Sequence, residues 1–157
     1  MNAQEHFFEF METYTEFFES MVSVEKEKLE ALLSFQLKKI EQAISAGQAN
    51  AMKLENYEKK RMELQVQAGF AEATFQEIID SIDGELKKVL ENLLRRMNNA
   101  VQEIKFYNGK SMGLAKINLQ SINDAVPSSA RSEAQGYTSL KTQADAYKNT
   151  VSFETKI

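Results

Sequence analysis

The sequence predicts an all-α protein, folded as an elongated antiparallel helical bundle with coiled-coil-like packing. Three observations carry this expectation. The 157-residue chain contains one Pro and six Gly, so little in it interrupts a helix. Apolar residues recur at steps of three and four, the spacing of one helical face. From Leu86 those steps become a heptad seam, the pattern by which one helix packs along another. The predicted arrangement is three main helices, a short helical segment and a flexible C-terminal tail. The bundle domain is expected over 1–127 and the tail over 128–157.

The first stretch runs from about Ala3 to Ala46. Its stripe is Phe7, Met11, Tyr14, Phe18, Met21 and Val22, then Leu29, Leu33, Leu37, Ile40 and Ile44. Glu25 to Lys28 interrupts the stripe with charge. A single helix of this length would span about 65 Å at 1.5 Å per residue. Gly47 is the expected C-cap, because glycine takes the left-handed conformation at little cost. A sparser stripe follows over about Gln48 to Ala68, with Met52, Leu54, Tyr57, Leu64 and Ala68. Gly69 is the next weak point. A short segment then carries Phe70, Phe75, Ile78, Ile79 and Ile82, and Asp83–Gly84 forms a third break.

The last main helix carries the seam Leu86, Leu90, Leu93, Met97, Ala100, Ile104, Tyr107, Ser111, Leu114 and Asn118. The seam turns small and polar towards its end, and Gly109 and Gly113 weaken the helix nearby. Pro127 sets its limit, because the residue before a proline avoids the α region. Ser128 to Gly136 reads as linker. Beyond it Tyr137, Leu140, Ala144, Tyr147 and Val151 recur at three, four, three and four. A helix this short is marginal alone in water, so the stripe is expected to fold against its own bundle or against a partner.

Composition excludes several function classes. Hydrophobic residues are 43% and charged residues 27%, a globular mix. With no cysteine there is no disulfide framework and no thiolate metal site. No signal-peptide pattern opens the chain and no apolar run approaches the roughly 18–20 residues of a membrane span. The expected location is the cytoplasm, without direct membrane insertion. A net charge of −4 argues against nucleic acid, whose binding rests on concentrated Lys and Arg.

Chemistry has few residues to work with. His6 is the only histidine and lies near the N-terminus, so no Glu-x-x-His pair of helices can build a di-metal site. There is no Gly-rich phosphate loop, metalloprotease motif or nucleophile elbow. The expectation is no enzyme, no catalytic residue, no metal and no cofactor. Phe7, Phe8, Phe10, Tyr14, Phe17 and Phe18 crowd the N-terminal segment, and bundle core is the first reading of them. An exposed dimerisation patch is the alternative. A membrane-surface helix is disfavoured, since Glu5, Glu9, Glu12, Glu16 and Glu19 stand there without Lys or Arg.

The order of features carries a resemblance. A long first helix is followed by Lys-Leu-Glu-Asn-Tyr-Glu-Lys-Lys-Arg at 53–61, then by Thr-Phe-Gln-Glu-Ile-Ile at 74–79. A last helix then has a Leu-rich start and an Asn-rich end, with Gly136–Tyr137 in a polar tail. Over roughly residues 15–140 this resembles the FlgN family of bacterial flagellar export chaperones. The family often has a Tyr-Gly step in its tail, where this chain has Gly-Tyr.

The resemblance implies a cytoplasmic chaperone for flagellar hook–filament junction proteins. Such chaperones cover helical terminal segments of those clients before type III export. It implies client contact on the last helix and tail, and contact of a tail tyrosine with the export gate. On this chain the corresponding partner-binding residues are Leu114, Leu119, Ile122 and Val126, extended by Tyr137, Leu140, Tyr147 and Val151. The alternative function is a structural coiled-coil scaffold or homodimerising adaptor, joined through the Phe-rich first helix.

Overall fold

A computed structural model of the chain describes residues 1–125, of which Ile122 and Ala125 are described by their backbone alone. The described part is all α: α1 (Ala3–Ser34), α2 (Leu37–Gln67), α3 (Phe75–Asp80) and α4 (Glu85–Ala125). No described helix is long and apolar enough to cross a membrane.

The chain runs up, down and up. Tyr57 on α2 stacks on Tyr14 of α1, with ring centroids 5.7 Å apart, and the Lys60 ammonium lies 5.3 Å over the Phe10 ring. Later residues of α2 thus meet earlier residues of α1, so the pair is antiparallel. Across the other interface Arg96 pairs with Glu12 and Lys28 with Asn108, so α4 runs parallel to α1. Helix α1 is the spine: α2 and α4 both pack on it, and α3 packs on α4. The end that holds the N-terminus and α3 is termed proximal here. The α1–α2 turn lies at the distal end.

Local chemistry sets most of the helix limits. Asn2 and Glu5 form a capping box at α1, each side chain accepting from the other's backbone N–H, at 2.9 and 2.8 Å. Thr74 and Glu77 do the same for α3, at 3.1 and 2.7 Å. Gly69 (φ +84°) and Gly84 (φ +77°) take left-handed backbone at the two breaks expected there.

The first break differs from expectation. Helix α1 stops at Ser34, and Phe35 caps it in the left-handed region at φ 54° and ψ 21°. Helix α2 then runs through Gly47, which is buried. The apolar steps hid the turn: Leu29, Leu33, Leu37, Ile40 and Ile44 keep their spacing across it. The termination signal is Ser34, whose hydroxyl donates to the Ala31 carbonyl (2.6 Å) and accepts from Gln36 N–H (3.2 Å). Such local bonds offer the backbone an alternative to the next helical bond. Gly47 does not end a helix, because one internal glycine costs only about 1 kcal/mol and packing on α1 outweighs it.

The aromatic N-terminal segment is bundle core. Phe7, Phe10, Phe17 and Phe18 are buried together with Tyr14, Met21, Ile78, Ile79, Leu90, Leu93 and Met97. The heptad seam starts one turn later than read, since Leu86 is exposed while Leu90 to Ile104 are buried. Gly109 and Gly113 lie on the exposed side of α4, and a Cβ at either would meet nothing within 4 Å. Gly109→Ala with Gly113→Ala is therefore expected to raise stability by about 1–2 kcal/mol, read by urea unfolding.

Candidate partner-binding surface

The distal end is built differently from the rest of the bundle. The main core stops near Met21 and Ile104. A second, smaller core follows, formed by Leu32 of α1, Ile40 and Ile44 of α2 and Ala115 of α4. Met112, Leu114 and Leu119 pack against it and stay half-buried.

Between the two cores lies a polar layer. Glu25 and Lys28 are buried, at 0% and 1% exposure, and their charged groups approach to 2.7 Å. This corrects the reading of Glu25 to Lys28 as a charged interruption of the stripe: those two residues face the α1–α4 interface. The Lys28 ammonium also donates to Asn108 Oδ1 at 3.2 Å. Ser111, at 0% exposure, adds a buried hydroxyl whose oxygen has no hydrogen-bond partner among the described residues. Burial pulls the Lys28 ammonium below its ordinary pKa, and the adjoining Glu25 carboxylate opposes that shift. The sequence carried a signal for this layer, because Asn108 and Ser111 stand at the level where the α4 stripe turns polar.

The distal tip exposes Leu33 and Leu37, which the stripe had assigned to the core, together with Phe35. Leu33, Phe35 and Leu37 are 57%, 71% and 43% exposed. Ile117, two residues beyond Ala115 on α4, is also exposed. Single exposed apolar residues are ordinary, whereas three within one turn form a patch.

The structure brings part of the predicted partner surface together. Leu114 and Leu119 meet at the small core beside Leu32, Ile40 and Ile44. Ile122 lies in the last turn of α4, and its side chain is outside the described set. Val126, Tyr137, Leu140, Tyr147 and Val151 lie outside the described residues, as does the expected tail domain. Sequence reasoning missed Leu33, Phe35 and Leu37 as surface residues, because no Gly or Pro marks the turn between them.

A second depression lies between α1 and α2, an open groove of about 680 Å³. Phe10, Phe17 and Tyr57 form its floor, with His6, Glu9 and Lys53 along its rim. Tyr57 stacks on Phe17 at 4.6 Å and on Phe10 at 5.8 Å. The aromatic rings are committed to one another, and the groove holds no nucleophile paired to a base. Among the described residues no group of three His, Cys, Asp or Glu side chains gathers to hold a metal ion.

Arg96 fixes α4 against α1 along the proximal half. It bonds Glu12 and Glu19, each at 2.8 Å. The Arg96 hydrogen bond holds the Glu19 carboxyl below its ordinary pKa of 4.5, against the opposing effect of burial. A depressed carboxylate pKa contributes stability above pH 4.5 that is lost as pH falls through the native value. The Glu19 side chain is 41% exposed, so the effect is on the scale of a surface pair. Glu19→Gln is expected to cost about 0.5 kcal/mol at pH 7, with the difference from wild type shrinking in urea titrations as pH falls through the lowered native pKa.

Compared with known proteins, the chain matches no family model, no curated sequence and no solved structure. The distal surface therefore rests on its own geometry, and its reading on the residues that form it.

Proposed function

We propose that the chain is a helical export chaperone that holds a partner's helix at the distal end of its bundle. On the resemblance to the FlgN family, the clients are helical terminal segments of flagellar hook–filament junction proteins, held in the cytoplasm and passed to the type III export apparatus. One observation carries the reading. The distal core is small and open, with Leu114 and Leu119 only half-buried on it and an apolar tip beside it.

A client helix laid there completes that core. Burial contributes about 25 cal/mol per Å² of apolar surface. Ordering of tail or client segments opposes it at about 1–2 kcal/mol per residue. The balance is a reversible complex of moderate affinity, which suits a protein that must release its cargo.

The test is titration calorimetry of the full chain against synthetic terminal segments of hook–filament junction proteins. Binding is expected, and Leu119→Asp weakens it at least tenfold while Val89→Asp, an exposed change at the start of α4, leaves it unchanged. Circular dichroism of each variant checks the fold. Absence of binding by the wild-type chain, with a stable dimer in sedimentation, favours the scaffold alternative.

A further inference from the structure

We infer that residues 137–151 of this chain's own tail fold back over the distal tip and cover Leu33, Phe35 and Leu37. The inference goes beyond the chaperone reading and does not depend on it.

The tip asks for a cover. Three large apolar side chains are exposed within five residues, at 57%, 71% and 43%. Phe35 also holds the left-handed backbone at φ 54°, a conformation that is costly for any residue with a side chain.

The chain leaves the bundle at the right place. Helix α4 has 41 residues against 32 in α1, and it runs parallel to α1 with Ala115 packed at the level of Leu32. Ala125 lies ten residues past Ala115 and Phe35 three past Leu32, so the end of α4 reaches about 10 Å beyond the tip at 1.5 Å per residue. The sequence continues for residues 126–157. The stretch 126–136 spans up to about 36 Å when extended, more than enough to turn and return to the tip.

The returning segment has the matching chemistry. Tyr137, Leu140, Ala144, Tyr147 and Val151 fall on one helical face at steps of three, four, three and four. A helix over 137–151 is about 22 Å long and needs an apolar surface to be stable. The tip lies at the end of the bundle towards which α4 runs. Tethering by a short linker gives the segment a millimolar-range effective concentration there, an advantage that a second copy or a free partner lacks. Any other ligand then reaches the tip by displacing the tail.

The sequence has no cysteine, so Asn149→Cys, on the opposite side of the helix from the apolar face, accepts a single nitroxide label on the full-length chain. Amide signals of residues 33–37 are expected to lose most of their intensity against the reduced label, while those around Phe7 and Ile79 at the proximal end keep theirs. Adding Leu140→Asp and Tyr147→Asp to the labelled chain restores the tip signals. A mixture of labelled chains without ¹⁵N and ¹⁵N chains without cysteine separates the two copies. Broadening confined to that mixture would assign the tip to a second copy and overturn the inference. Unchanged tip signals in both samples would overturn it as well.

Discussion

Lys28→Met is expected to lower stability by about 3–5 kcal/mol, one of the two largest single effects in the bundle. The ammonium is 1% exposed and lies 2.7 Å from a Glu25 carboxylate that is itself fully buried. Taking both charges out of water is costly, and their contact offsets much of that cost only while both are present. Removing the cation leaves a carboxylate buried beside a thioether, and Asn108 loses its donor. Glu25→Met with Lys28→Met is expected to recover most of the loss, because a buried pair replaced by apolar groups of similar volume is often neutral. Urea unfolding of the four-member mutant cycle measures both statements.

The same pair sets a pH dependence. Burial lowers the Lys28 pKa below its ordinary 10.5, so the folded state sheds this proton before the unfolded state does. Stability from this group therefore rises as pH climbs from the native value towards 10.5. Lys28→Met lacks that rise. Buried Tyr14 acts in the opposite sense above pH 10. Burial, followed by Glu58, raises its phenol pKa, so the native state keeps a proton that the unfolded chain gives up.

Phe18→Ala is the second large effect, expected at about 3–5 kcal/mol. Phe18 is 1% exposed, and its ring centroid lies 4.8 Å from that of Tyr14. The site is held between α1 neighbours and the seam of α4, and the aromatic rings around it have little room to collapse into the cavity. Ile117→Ala, at 63% exposure, serves as the contrast and is expected to change stability by about 0.5 kcal/mol or less. Equal losses for the two variants in urea would show that the core does not lie where the structure places it.

The legible and illegible parts of the fold divide along physical lines. The all-α class, the proximal core and the breaks at Gly69 and Gly84 followed from periodicity and from glycine. Phe7, Met11, Tyr14, Phe18 and Met21 stand buried as their spacing required. The turn at Phe35 escaped, because it preserves the phase of the stripe and uses a serine hydroxyl in place of Gly or Pro. The burial of Glu25 and Lys28 escaped for a different reason. A charge on a helix is most often solvated, and only the arrival of Asn108 and Ser111 from α4, some 80 residues away, turns that face inward. Leu114 and Leu119, named from pattern, pack half-buried on the distal core, whereas the exposed tip depended on the unseen turn.

The two-core design makes a direct demand on native-state hydrogen exchange. The main core joins α1, α2, α3 and α4 through many large side chains, while the distal core rests on Leu32, Ile40, Ile44 and Ala115 beyond a polar layer. Amides of Tyr14, Ile79 and Leu93 are expected to exchange only through global unfolding. Amides of Leu32, Ile44 and Ala115 are expected to open at a free energy about 2 kcal/mol or more below that. Denaturant-dependent exchange reads both sets in one experiment. A lower, weakly denaturant-dependent opening confined to the distal set is the predicted result. A single opening free energy shared by both sets would contradict the division of the bundle at Glu25 and Lys28.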